Sequence, residues 1–228
     1  MAFPLLVGAH EEVVTDRTGR ACGSRVDASG MSQPASSPET GHRHDRAGVV
    51  GPLLARWPSV VGLLALLVNL AGGVDSHVTA MIIILAATCY LAATALGSRR
   101  SGWVMVAVAS LAVTVAKVTG LDPTTTLLVM GVGFGVFGFL RRSGVDRREL
   151  VRQSAGFVGF SGLALIAMMS GPMLAALLAA AASMGHAAWD VAHLVRDKAV
   201  PRSLAEACFV LDLGLGTALL LTAWNALP

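Results

Sequence analysis

The chain has 228 residues, of which 54% are hydrophobic and 14% are charged, and its mean hydropathy is +0.68. This composition excludes an ordinary soluble domain and is typical of an integral membrane protein. The formal net charge is +3, but the basic residues are spread over short joints, so no nucleic-acid-binding surface is predicted. Cys22, Cys89 and Cys208 form no CxxC pair, which argues against a disulfide framework or a zinc finger.

Residues 1–50 differ from the rest of the chain because they are rich in Ser, Pro, Gly and charge. They lack the apolar side chains needed to pack, and we predict a disordered cytoplasmic tail. The opening stretch MAFPLLVGAHEEVV has a short apolar run with acidic flanks, which does not indicate a secretory signal. Met31 is an alternative start, in which case residues 1–30 are not translated.

Seven apolar segments follow Arg56, and each approaches or reaches the about 20 residues that a membrane-spanning helix needs. The predicted helices cover residues 57–74, 78–97, 102–120, 123–140, 155–171, 172–195 and 204–224. The predicted fold is therefore all-α, with seven transmembrane helices over residues 57–224 in a lipid bilayer. Small residues, such as Gly131 and Gly135, indicate close helix packing rather than a nucleotide site.

The basic residues fall in alternate joints, which predicts the orientation. The residues concerned are Arg43, Arg46, Arg56, Arg99, Arg100, Arg141, Arg142, Arg147, Arg148, Arg152, Arg196, Lys198 and Arg202. The intervening joints GGVDSH, GLDPT and SGP and the tail WNALP contain no Lys or Arg. Because cytoplasmic loops are enriched in these residues, we expect an inner-membrane protein with a cytoplasmic amino end and an external carboxyl end.

The sixth segment carries an unusual polar motif, HAAWDVAH, at residues 186–193. At 100° per residue, His186, Asp190 and His193 lie within about 60° of one another on one helix face. His186 lies roughly 14 Å from the inner end of its helix, and Asp212 on the seventh helix has about the same depth. Because an ionisable group at this depth usually has an interior partner, we expect His186 to face Asp212.

Glu206 on the seventh helix has about the depth of Asp190, but it points about 240° away from Asp212 around the helix. At most one of the two carboxylates is therefore expected to face the sixth helix. Glu206 also completes the motif SLAE from Ser203, a capping box that satisfies the amides of a helix start. We favour this capping role for Glu206 over a role in a buried site.

Histidine and carboxylate groups are suitable ligands for a divalent metal, and the candidate ligands are His186, Asp190, His193 and Asp212. His186 and His193 are about 10.5 Å apart along the helix axis, so one ion is not expected to bind both. A second polar group lies toward the outside, where Lys117 approaches Asp122, Asp75 and His77. The ordinary interpretation is a lysine that reaches the membrane surface and pairs with a loop carboxylate.

Three classes of function are consistent with the sequence. A small transporter or proton-coupled carrier is the leading hypothesis. A metal-dependent intramembrane enzyme and a non-catalytic membrane subunit are the alternatives, and catalysis is not favoured because no complete ligand set is evident. A membrane-protein partner or a homo-oligomer is compatible with each of them.

Overall fold

The computed structural model describes residues 56–141 and 143–226, and every regular element in these ranges is an α-helix. The helices are α1 (Trp57–Leu70), α2 (Ser76–Ala95), α3 (Ser101–Thr119), α4 (Pro123–Leu140), α5 (Arg147–Met168), α6 (Pro172–Arg196) and α7 (Arg202–Asn225). The prediction of an all-α fold is confirmed. The predicted tail, residues 1–50, and the alternative start at Met31 lie outside the described residues.

Six helices, α2 to α7, are long and apolar enough to cross a membrane. The first helix is shorter than predicted, since α1 has 14 residues and a length of about 21 Å, against a hydrocarbon core of about 30 Å. The helix ends at Leu70 because two glycines follow, and Gly73 has a φ of +88°, a left-handed conformation that favours glycine. The predicted segment 57–74 therefore extends past the end of α1.

Helix α2 is the central helix and packs against α3, α4, α5, α6 and α7. Its sequence, SHVTAMIIILAATCYLAATA, is apolar on all sides, as expected for a helix without a lipid-facing surface. The other helices bury 78% of the most apolar stretch of α2, whereas 22% of the corresponding stretch of α3 is buried. Tyr90 on this helix is therefore held in the middle of the bundle.

Small residues bring the helices close together, in agreement with the sequence analysis. A Cβ atom at Gly131 would lie 2.4 Å from the ring of Phe157, so α4 contacts α5 at this glycine. At Gly62, a Cβ atom would lie 2.3 Å from the carbonyl oxygen of Ala207, which places α1 directly against α7. Packing of this kind drives helix association where the surrounding lipid is as apolar as the side chains.

Helix α5 begins eight residues earlier than predicted, at Arg147 rather than at position 155. The carboxylate of Asp146 accepts hydrogen bonds from the backbone amides of Arg148 (3.0 Å) and Glu149 (3.3 Å), which is an N-cap. The sequence prediction missed this start because it followed hydrophobicity and excluded the charged first turns. The longer helix carries Glu149 and Gln153 into the bundle.

The basic joints meet at one end of the helix bundle. The guanidinium of Arg99, between α2 and α3, pairs with Asp197, between α6 and α7. Arg141, after α4, donates a hydrogen bond of 2.8 Å to the carbonyl of Leu96 at the end of α2. Arg56, before α1, lies 3.8 Å from Glu206 in the second turn of α7. We refer to this side of the bundle as the basic end.

Candidate ion site at the α6–α7 interface

A buried cluster of three ionisable side chains lies between α6 and α7. The Nδ1 atom of His186 is 2.8 Å from Oδ2 of Asp212 and 3.6 Å from Oδ2 of Asp190. All three residues are at most 1% exposed. The contact between His186 and Asp212 that the sequence analysis expected is present, and we call these three residues the His–Asp cluster.

The cluster forms because α6 and α7 approach each other closely on a surface of small residues. Ala179, Ala180 and Ala182 are fully buried. A Cβ atom at Gly216 would lie 3.2 Å from the carbonyl oxygen of Ala180, so the backbones of α6 and α7 are close to contact at this glycine. Ser183 donates a hydrogen bond of 2.7 Å to the backbone carbonyl of Asp212, which fixes the height of α7 relative to α6.

Tyr90 of α2 joins the cluster from the third side. Its hydroxyl donates a hydrogen bond to Oδ1 of Asp190, and its ring meets the ring of His186 edge-on at a centroid distance of 5.4 Å. Tyr90 was not predicted from the sequence. The available signal was that the chain has a single tyrosine and that it stands in a strongly apolar helix, where a buried hydroxyl needs a polar partner.

Three atoms of the cluster lack a hydrogen-bond partner among the described residues, namely Nε2 of His186, Oδ2 of Asp190 and Oδ1 of Asp212. Buried polar atoms are normally paired, so three in one cluster call for a physical explanation. One ligand atom from each residue can be chosen so that all three lie within 4.8 Å of one another. This spacing is compatible with a single shared cation.

His193 lies outside this group, although it is on the same face of α6. Its Nδ1 atom contacts the carbonyl of Trp189 at 2.8 Å, and its Nε2 atom contacts Nε2 of Gln153 at 2.6 Å. Because the amide nitrogen can only donate, the imidazole accepts at Nε2 and carries its proton on Nδ1. Of the four candidate metal ligands, the structure therefore brings together three and gives His193 a separate partner.

A polar chain continues from His193 toward the basic end. Gln153 donates a hydrogen bond of 2.8 Å to Oε1 of Glu149, and that oxygen lies 3.7 Å from Nε2 of His193.

Glu149 is also paired with Arg152 at 2.5 Å and lines an open pocket of about 290 Å³. The same pocket is lined by Arg99, Asp146, Asp197 and Lys198. The rings of Tyr90 and His193 meet nearly perpendicular at a centroid distance of 5.0 Å, so Tyr90 lies between this polar chain and the His–Asp cluster.

A second, apolar cavity borders the opposite side of the cluster. It has a volume of about 110 Å³ and lies between α1, α2, α3 and α7. Its walls include Ala65, Cys89, Trp103 and Leu211, and Tyr90 and Asp212 also line it. Among the lining residues, Asp212 is the one whose side chain bears an acidic carboxyl group.

The structure overturns the capping role predicted for Glu206. Helix α7 begins at Arg202, so Ser203 is already inside the first turn, and its hydroxyl accepts a hydrogen bond of 3.0 Å from Nε1 of Trp103. The carboxylate of Glu206 instead accepts a hydrogen bond from Ser59 of α1. Glu206 thus belongs to the α1–α7 contact, as expected if only one carboxylate of α7 faces α6.

Lys117 lies at the end of the bundle opposite the basic end. It lines a pocket with His77 and Asp122, as the sequence analysis expected, whereas Asp75 lines a different pocket. His77 and Tyr90 are 13 residues apart on α2, or roughly 20 Å at 1.5 Å per residue. Lys117 is therefore remote from the His–Asp cluster.

Comparison of the chain with protein-family models, with curated proteins and with solved structures found no match.

Proposed function

We propose that this protein is a small cation-coupled membrane carrier and that the His–Asp cluster is its coupling site. The observation that carries the proposal is a charge imbalance in the membrane interior. Two carboxyl groups and one imidazole are fully buried together, and among the described residues no Lys or Arg pairs with Asp190 or Asp212. His186 lies about 15 Å from the end of α6, near the middle of a bilayer core about 30 Å thick.

The cluster needs further positive charge to be neutral. With a protonated His186 and two ionised carboxylates its charge is −1, and with a neutral imidazole it is −2. A bound proton neutralises the first state, and a divalent cation neutralises the second. Because uncompensated charge in a membrane is unfavourable, we expect one of these cations to occupy the cluster. Release and rebinding of that cation would then be coupled to the transport of the substrate.

The polar chain from the basic end provides a route for this exchange. It leads from the 290 Å³ pocket through Glu149 and Gln153 to His193, one turn of α6 away from Asp190. Tyr90 lies at the remaining step, since its ring contacts His193 and its hydroxyl donates a hydrogen bond to Asp190. On the far side the cluster meets an apolar cavity rather than water, as is suited to a carrier with separate entrances for cation and substrate.

We further propose that the chain crosses the inner membrane seven times. The basic end then lies on the cytoplasmic side. Helix α1 runs parallel to α7, because Ser59 contacts Glu206 and the Gly62 backbone meets Ala207. Because α1 is shorter than the membrane is thick, the joint between α1 and α2 spans the rest of this crossing. The Lys and Arg bias then predicts a cytoplasmic amino end and an external carboxyl end. A reporter that is active only in the cytoplasm should therefore be silent when it is fused after Pro228.

Reconstituted vesicles test the carrier function directly. Purified protein is incorporated into liposomes that contain a pH-sensitive dye, and a panel of small amines, alcohols and carboxylic acids is added outside. We expect at least one class of compound to move protons across the membrane with the wild type and with Glu206→Gln, but not with Asp212→Asn. Proton movement that is unchanged in Asp212→Asn, or absent for every compound, would contradict the proposal.

The metal-dependent alternative is favoured by one observation, the three ligand atoms within 4.8 Å of one another. Elemental analysis of the protein purified without chelator, followed by titration with Zn²⁺ and Mn²⁺, separates it from proton coupling. One metal ion per chain that is lost in Asp212→Asn, without any transport, would support an intramembrane enzyme and would argue against the carrier.

A further inference from the structure

The apolar cavity beside the cluster has the features of a substrate site. Its volume of about 110 Å³ is slightly smaller than the engineered 150 Å³ cavity that binds benzene, so it fits roughly four carbons and one further heavy atom. Its walls are almost entirely apolar, and Asp212 is the one acidic residue among those that line it. A ligand that fits it therefore has a short hydrocarbon body and one polar group.

The charge of that polar group follows from Asp212. One carboxylate oxygen, Oδ2, is held by His186, whereas Oδ1 is buried and has no partner among the described residues. An unpaired carboxylate oxygen accepts hydrogen bonds and attracts positive charge. Tyr90 and Trp103 also line the cavity, and aromatic side chains attract cations as well.

We infer that the cavity binds a small primary alkylammonium ion, with the ammonium group on Oδ1 of Asp212 and the alkyl chain between α1, α2, α3 and α7. This inference rests on the proposed function and names its substrate class. With His186 protonated, the bound ammonium supplies the one positive charge that the cluster lacks. It therefore displaces the proton that otherwise neutralises the cluster, and this proton leaves toward Glu149 and the pocket at the basic end.

The occupant is tested by calorimetric titration of the full chain in lipid nanodiscs with n-butylammonium chloride. Neutral 1-butanol, which has the same size, is the matched ligand, and empty nanodiscs correct for partition into lipid. We expect saturable binding of n-butylammonium, binding of 1-butanol at least tenfold weaker, and a loss of at least tenfold in n-butylammonium affinity in Asp212→Asn. Equal affinity for the two ligands, or unchanged binding in Asp212→Asn, would overturn the inference.

A second variant keeps the test informative if Asp212→Asn does not fold. Ala65→Leu fills the cavity from α1 without altering any charge, so it should abolish saturable binding. Ala107→Leu adds the same side chain to the lipid-exposed surface of α3 and should bind like the wild type. Wild-type affinity in Ala65→Leu would place the ligand elsewhere.

The two proposals fail in different ways. If n-butylammonium does not bind while other compounds still drive Asp212-dependent proton movement, the substrate class is wrong and the carrier function stands. If n-butylammonium binds at Asp212 but no proton moves with any compound, the cavity is a binding site and the carrier function is wrong.

Discussion

Helix α7 carries two carboxylates, and the two helix contacts in which they lie differ in kind. Glu206 faces α1, with Ser59 as a hydrogen-bond donor and the exposed guanidinium of Arg56 at 3.8 Å. Asp212 faces α6, is fully buried, and has His186 as its partner. One carboxylate is thus neutralised by a permanent cation near the membrane surface, and the other depends on a group that can lose its charge.

The two carboxylates differ in whether the charge of the partner is fixed. A guanidinium is always protonated, so the environment of Glu206 does not need a further ion. An imidazole can be neutral or charged, and even a charged His186 leaves one of the two neighbouring carboxylates without a counter-ion, so the environment of Asp212 does. Under the proposed function, ion exchange therefore belongs to the α6–α7 contact and assembly to the α1–α7 contact.

Removal of His186 should give the largest loss of stability. His186→Leu leaves Asp190 and Asp212 buried without a neutralising partner, and loss of one member of a buried charged group typically lowers the free energy of unfolding by roughly 3 to 5 kcal/mol. Glu206→Gln, the matched change in the other contact, should lower it by about 1 kcal/mol or less, since its partner Arg56 is exposed. Reversible unfolding in mixed detergent and SDS micelles measures both, and equal losses would erase the distinction between the contacts.

For substitutions at the glycines where two helix backbones meet, the order of the stability losses should be reversed, with the larger loss in the α1–α7 contact. A methyl group at Gly62 would meet the backbone carbonyl of Ala207 at 2.3 Å, whereas at Gly216 the nearest atom is Cγ of the flexible Met184 at 2.7 Å. Gly62→Ala should therefore lower the free energy of unfolding by about 1 to 3 kcal/mol, the usual range for overpacking, and by more than Gly216→Ala does. Gly133→Ala, which has open space around it, is the control. A larger effect at Gly216 would mean that α1 adapts its position.

A double-mutant cycle sharpens the pairing inside the cluster. The losses of His186→Gln and Asp212→Asn should sum to more than the loss of the double variant, with a coupling of about 0.5 to 3 kcal/mol, because each single variant disrupts the same hydrogen bond. The control cycle combines Asp212→Asn with Ser59→Ala in the α1–α7 contact, and its effects should be additive. Additivity in the first cycle would show that His186 and Asp212 do not interact.

The smallest effect is expected at the start of α5, which holds the polar chain in place. The backbone amide of Glu149 holds the pKa of Asp146 below its usual value of 3.8, because it donates a hydrogen bond to the carboxylate. The stabilisation is therefore complete above that usual value and is lost as pH falls through the lowered pKa. Amide hydrogen exchange of residues 147–150 should accelerate in Asp146→Ala at neutral pH and should differ less from the wild type in strong acid; a difference that grows in acid would contradict the cap.

The sequence predicted those parts of the molecule that follow from hydrophobicity and helix geometry. The bounds of α4 were predicted correctly, and equal depths on adjacent helices were enough to pair His186 with Asp212. Tyr90 was missed because nothing in one sequence tells which helix lies at the centre of the bundle. Glu206 was assigned to a cap because its spacing from Ser203 fits a local motif, whereas its partner Ser59 is 147 residues away. Long-range packing decided both.

The central claim, that the His–Asp cluster holds one exchangeable cation, is tested most directly by infrared spectroscopy of the carboxyl groups in lipid. With divalent cations removed by a chelator at neutral pH, charge balance predicts the band of a protonated carboxyl group, whether or not His186 is charged. The band should disappear in the double variant Asp190→Asn, Asp212→Asn, persist in Glu206→Gln, and decrease when n-butylammonium or Zn²⁺ saturates the site. A spectrum in which both cluster carboxylates are ionised without any added cation would contradict the account.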